Sequence, residues 1–197
     1  PDWTFEFVPL ETMERPAWIV VWLKALRPDS LVLSLAPIMA TLGWLMAGHL
    51  PLESWPMVSV AHAVLTIVGV LALHAAVNLF NDYHDHRRGW DRVHERGGAR
   101  VISRGWLRAL DVKHAAWTAF AVAIVAAIPI LLANLTIGLA LAAFALIAGL
   151  EFALSRFDLK HRGLAELVAW LMFGPLLTGG LAWAVTGQVT WKALGLG

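Results

Sequence analysis

The sequence predicts an all-α fold, a polytopic transmembrane helical bundle of about five spans, and three observations carry that prediction. Of 197 residues, 59% are hydrophobic and only 15% charged, against about 25% charged in an average soluble domain. The uncharged runs Ser30–Leu52, Met57–Asn81, Ala115–Leu150 and Leu167–Trp191 each reach the ~20 apolar residues that cross ~30 Å of hydrocarbon. The basic residues, finally, fall on alternate connections between those runs.

Pro1–Glu14 is polar and aromatic, without a basic start, a short apolar core or a small-residue cleavage site, so no signal peptide is expected. Arg15–Arg27 sets Trp18, Val21, Trp22 and Ala25 at helical spacing and predicts an interfacial amphipathic helix leading into the first span. Residues 1–29 are thus an N-terminal segment and 30–197 a transmembrane domain. Spans are predicted at about 30–50, 57–82, 113–132, 136–154 and 165–187. The third and fourth come from one uncharged run of 36 residues, which as a single helix would measure about 54 Å, nearly twice the hydrocarbon core. The break is placed near Ala133-Asn134-Leu135-Thr136, a polar pair one turn after Pro129. In the fifth span, Gly174-Pro175 and Gly179-Gly180 predict helix packing or a kink. Trp18, Trp22, Trp55, Trp106, Trp117 and Trp191 fall near predicted ends, as interface anchors do. The start at Pro1 and the ending Leu194-Gly195-Leu196-Gly197 lead us to expect a processed or partly represented chain.

The net charge of +1 says little, but its distribution says much. Arg15, Lys24 and Arg27 precede the first span, eight basic residues from Arg87 to Lys113 separate the second and third, and Arg156, Lys160 and Arg162 separate the fourth and fifth. Lys192 alone falls on the other side. The positive-inside rule then puts the N-terminus and both basic loops in the cytoplasm. With no cysteine in the chain, disulfides, thiolate metal sites and thiol nucleophiles are excluded.

Chemistry is expected where the second span meets its long polar loop, at Asn78-Leu79-Phe80-Asn81-Asp82-Tyr83-His84-Asp85-His86-Arg87-Arg88-Gly89-Trp90-Asp91. On a helix Asn78, Asp82 and Asp85 form one stripe, with Asn81 beside Asp85. Two carboxylates and two amides are hard oxygen ligands that suit Mg²⁺, and Asp91, past Gly89, adds a third carboxylate. A lone Asp-x-x-Asp is more often a solvated helix end. Here two amides share its surface at membrane depth, where polar groups are costly and usually functional. Downstream, Gly97-Gly98-Ala99-Arg100-Val101-Ile102-Ser103-Arg104-Gly105 supplies glycines that let main-chain N–H groups approach an anion and arginines that fork onto phosphate oxygens. Those arginines also serve topology and lipid headgroups. His62 and His74, 12 residues apart, read as buried hydrogen-bonded histidines rather than ligands. A zinc site at His84 and His86 is disfavoured because the two point to different faces. Glu151 and Glu166 are candidates for lining a polar cavity or for pairing with Arg156 or Arg162.

These residues resemble the UbiA-type intramembrane prenyltransferases, and within them the 1,4-dihydroxy-2-naphthoate polyprenyltransferase branch. Arg27-Pro28 matches the Arg-Pro pair before the first span, Asn78–Asp91 the first Asp-rich motif, and Gly97–Gly105 the loop that follows it. Leu159–Leu167 with Phe173-Gly174-Pro175 is a looser match. The resemblance implies a helical bundle with a central cavity opening sideways to lipid in the bacterial plasma (inner) membrane. It also implies Mg²⁺-dependent transfer of a polyprenyl group from polyprenyl diphosphate to an aromatic acceptor in quinone (menaquinone) biosynthesis. Asp82 and Asp85 would be catalytic; Asn78, Asn81, Asp82, Asp85 and Asp91 would hold metal; Arg100, Arg104, Lys160 and Arg162 would contact diphosphate. The expected partners are membrane lipid, the diphosphate and the acceptor, with no nucleic acid.

The family has nine transmembrane helices and a second Asp-rich motif, whereas no Asp-x-x-x-Asp follows Asp158 here, His84 stands for an aromatic residue and Ala165 for a glycine. Two readings stay open: the N-terminal portion of a complete transferase, which we favour for the ancestry of the sequence, or a catalytically silent homologue serving as an accessory subunit of a larger membrane complex. A small transporter is weaker, since no acid lies at mid-membrane and no inverted repeat is visible.

Overall fold

The structure, a computed structural model, describes residues 15–48, 57–89, 99–133, 135, 139, 165–188 and 191–196. Among them the chain is helical throughout its regular parts: α1 Trp18–Leu26, α2 Val32–Gly48, α3 Met57–Arg87, α4 Ala109–Ala133, α5 Ala165–Phe173, α6 Pro175–Thr186 and the short α7 Trp191–Leu194. The fourth span, apart from Leu139, lies outside the described residues, and the expected break near 133–136 falls at their edge.

α3 and α4 form the most extensive helix pair. Small residues set their approach, since a Cβ on Gly69 would lie 3.5 Å from Ala126 Cβ and 3.6 Å from the Ala123 carbonyl. α2 and α6 cover another side of α3 through Ile38, Leu45, Ala63, Leu177, Leu181 and Val185. The outer faces stay apolar, with Met39, Val125 and Leu132 65–70% exposed. Only 33% of the most apolar stretch of α3 and 22% of that of α4 are buried within the protein. A helix inside a water-soluble core would be mostly covered; these present their apolar surface to lipid.

Two expectations change, and a third, the kink in the fifth span, becomes definite. α3 continues past residue 82 to Arg87, so the whole acidic motif through His86 is helical, because Phe80 and Tyr83 are anchored in the core. The helix ends where Gly89 turns at φ +71°, its N–H donating to the His86 carbonyl. The kink expected in the fifth span is a break between two helices. Pro175 has no N–H to continue the ladder, so the chain breaks at Gly174 and restarts as α6 with proline in its first turn. In α1 the predicted membrane stripe is divided: Val21 and Ala25 are fully buried against the protein, while Trp18, Ile19 and Leu23 face outward. Periodicity could not separate these faces, because protein and lipid both select apolar side chains.

α1 ends at Arg27, held in the left-handed region at φ 54°. For a side chain with a Cβ this is a strained turn. It is secured by Ser30, whose N–H and Oγ–H both donate to the Arg27 carbonyl, at 2.9 and 2.8 Å. The chain thereby turns sharply from α1 into α2 beside the last turns of α3.

Candidate functional site

The acidic end of α3 is an interior surface. Asn78 is 5% exposed and Asp82 2% exposed, whereas Asn81 and Asp85 are half-buried. A solvated helix end would show the reverse, so that alternative does not describe this helix. The stripe meets the α1–α2 turn on one side and the segment 99–107 on the other.

Asn78 Nδ2 donates to the Leu26 carbonyl at 3.0 Å and to Ser30 Oγ at 2.9 Å. The Leu26 carbonyl accepts only, so the amide orientation is fixed by chemistry: nitrogen toward α1, oxygen away from it. Both N–H groups are used, and Oδ1 makes no hydrogen bond among the described residues.

Asp82 Oδ1 accepts the main-chain N–H of Arg100 at 2.8 Å. Arg100 sits at φ 55°, and after it the chain folds back on itself. The Arg104, Gly105, Trp106 and Leu107 N–H groups donate to carbonyls of Arg100, Ile102, Val101 and Val101, respectively, at 2.9–3.2 Å. Gly105 supplies the positive φ of +70°. Val101, Ile102, Trp106 and Leu107 then bury themselves among Val21, Ala25, Phe80, Tyr83, Val112 and Phe120. This returning segment is a part of the core that hydrophobic periodicity does not reveal. His86 Nδ1 and Ser103 Oγ, 3.1 Å apart, close its outer edge.

Trp106 is therefore a core residue, 7% exposed, rather than an interface anchor. Its ring carries two cations, Lys24 Nζ at 5.1 Å and the Arg104 guanidinium at 4.8 Å from the centroid. Tyr83 likewise lies under Arg87 and Lys113. At the start of α4, Arg108 binds Asp111 through two N–H groups at 2.8 and 2.9 Å, on the exposed side.

Of the residues proposed from sequence, the structure joins Asn78 to the α1–α2 turn and Asp82 to the main chain of Arg100, keeps Asn81 and Asp85 on the same helix end, and sets the Arg104 side chain on Trp106. Asp91, Lys160, Arg162, Arg156 and Glu151 lie outside the described residues. Among the described residues no three His, Cys, Asp or Glu side chains come close enough to hold a metal ion together. The donors that are present, two carboxylates one turn apart and an amide oxygen turned away from its own hydrogen-bond partners, fit a hard cation that keeps waters and phosphate oxygens in its shell. His74 escaped the sequence-based selection of site residues, although its spacing was a signal: 74, 78 and 82 follow one another at i, i+4 and i+8 on the Asn/Asp stripe.

Below the site, a groove of about 520 Å³ opens between α2 and the α5–α6 break. It is lined by apolar groups that include Val32, Pro37, Trp170 and Phe173. A bundle with lipid-facing helices and a buried Asn/Asp stripe at one helix end defines an integral membrane protein with a polar site at the edge of the hydrocarbon layer. The chain belongs to the UbiA prenyltransferase family, whose sequence profile matches residues 34–197. It is 27% identical over 175 residues to a 1,4-dihydroxy-2-naphthoate octaprenyltransferase of Mycobacterium tuberculosis, an alignment covering 88% of this chain and 56% of the relative. The chain thus spans about half the length of the curated relative it matches. No solved structure matches it.

Proposed function

We propose that this protein takes part in Mg²⁺-dependent transfer of a polyprenyl group from its diphosphate to an aromatic acceptor of the dihydroxynaphthoate type, at the cytoplasmic face of a bacterial plasma membrane. One observation carries the reading: Asp82, 2% exposed, is clasped by the main chain of Arg100. That single contact joins the acidic helix end to the Gly/Arg segment that a metal-bound diphosphate needs. Asn78, Asn81, Asp82 and Asp85, with Asp91, hold the cation in this proposal. Arg100 and Arg104 contact diphosphate, joined by Lys160 and Arg162. The cation, when bound, neutralises charge building on the departing diphosphate.

The chain's own residues supply the rest. The main-chain clasp keeps Asp82 in one position before substrate arrives, so little reorganisation is needed during reaction. The apolar walls of α2 and of the α5–α6 break suit an isoprenoid chain and exclude water from the allylic carbon. A family profile over most of the chain and a relative that is a 1,4-dihydroxy-2-naphthoate octaprenyltransferase support this reading.

The test is product formation by the full chain in liposomes supplied with Mg²⁺, a polyprenyl diphosphate and 1,4-dihydroxy-2-naphthoate. Prenylated product that disappears with chelator and falls at least ~100-fold in Asp82→Asn is expected. The Asn variant retains an oxygen for the Arg100 N–H while removing the charge. A folded wild type that makes no product would overturn the catalytic reading and favour an accessory subunit.

A further inference from the structure

The polar groups behind the acidic stripe leave no freedom in their hydrogen bonding. Ser30 Oγ has one hydrogen and donates it to the Arg27 carbonyl at 2.8 Å, an acceptor with nothing to give back. Its lone pairs face Asn78 Nδ2 at 2.9 Å and His74 Nε2 at 3.3 Å. With its proton spent, Ser30 only accepts from the ring, so Nε2 carries the hydrogen. On the other side, His74 Nδ1 lies 2.7 Å from Ser34 Oγ. Ser34 is fully buried and His74 4% exposed, and the ring's two hydrogen-bond partners are both hydroxyls. A charged ring would be costly there, so Nδ1 accepts the Ser34 hydrogen. Phe173, at the helix break, packs on the same ring with centroids 4.6 Å apart.

From this we infer that His74 is a positioning residue for the polar site, acting through Ser30 on Asn78. By donating from Nε2, the ring holds Ser30 in the rotamer that accepts from Asn78. Asn78 in turn spends both N–H groups on Ser30 and Leu26 and presents Oδ1 away from them. The function of Oδ1 as a cation ligand rests on the reading proposed above; the hydrogen-bond order behind it does not. Partners that orient a ligand from behind commonly alter metal affinity 10–100-fold when removed.

Two substitutions separate this role from packing. His74→Gln keeps a donor for Ser30 and an acceptor for Ser34 but loses the ring that meets Phe173; His74→Phe keeps the ring and loses both bonds. The full chain in micelles is titrated with Mn²⁺ alone, and free Mn²⁺ is read by electron paramagnetic resonance, with helical content checked by circular dichroism. Wild type and His74→Gln are expected to bind within about twofold of one another, with His74→Phe weaker by about tenfold or more and Asp82→Asn losing saturable binding. Ser34→Ala, which leaves the ring in place, is expected to shift affinity in the same direction as His74→Phe. Saturable binding that depends on Asp82 but is equal in wild type and His74→Phe, or weaker in His74→Gln than in His74→Phe, would overturn the positioning role alone. Absence of saturable binding in the wild type would overturn the cation site and the role together. A ring ¹⁵N spectrum showing the hydrogen of His74 on Nδ1 would overturn the hydrogen-bond order directly.

Discussion

The two ends of α3 use the same kinds of polar side chain for different ends. Near its start, Ser59 donates to the Val185 carbonyl at 2.8 Å and His62 Nδ1 lies 3.1 Å from the Ala184 carbonyl. Both acceptors belong to the last turn of α6, whose carbonyls have no partner within their own helix. These contacts finish another helix. Near its end, His74 and Asn78 bond to groups at the α1–α2 turn, and the exchange spends both amide N–H groups and turns the amide oxygen away from them. A histidine on an apolar helix is thus not one kind of object. What its partners can accept decides whether it closes a structure or prepares a surface.

The sharpest way to test that contrast is to remove charge at one end and a hydroxyl at the other. Asp82→Asn is expected to lower any prenyl-transfer rate at least ~100-fold with the melting temperature nearly unchanged, whereas Ser59→Ala leaves the rate where it was. Next in size is Trp106→Ala, which empties the pocket that seats the returning segment. It should destabilise the protein by about 3–5 kcal/mol and make the chain after Arg100 and Arg104 cleavable by trypsin, read by limited proteolysis in micelles. His62→Phe, the counterpart of the His74 substitution, is expected to cost about 1–2 kcal/mol for the exposed α6 carbonyl while Mn²⁺ affinity stays at the wild-type value. A loss of affinity there would erase the distinction between the two histidines. The smallest effect is expected at Gly179, where a new Cβ would meet Leu194 Cδ2 at 2.5 Å. Leu194 can swing its tip aside, so Gly179→Ala should cost under about 1 kcal/mol, measured by thermal unfolding.

Much of this was legible in the sequence. The uncharged runs announced lipid-facing helices, and the Asn/Asp spacing announced one stripe, because both depend only on length and helical period. The burial of His74 and the kink at Gly174-Pro175 followed from the cost of polar groups and proline in an apolar helix. The role of Trp106 was not legible. A tryptophan near a span end looks the same whether it meets headgroups or folds under Lys24 and Arg104, since only the return of the chain at Arg100 decides. The division of α1 was hidden for a related reason: Val21 and Ile19 are equally apolar, and only tertiary contact sends one inward.

The break at Gly174 also bears on how the protein enters its membrane. Of the described residues α5 holds nine and α6 twelve, and α6 by itself does not reach the ~20 needed to cross hydrocarbon. The unbroken apolar run Leu167–Trp191 does reach that length. A run inserted as one rod would take its bend afterwards, where Phe173 meets the His74 ring. On that view the bend belongs to the finishing of the protein in the bilayer, and its timing depends on α2 and α3 having arrived first.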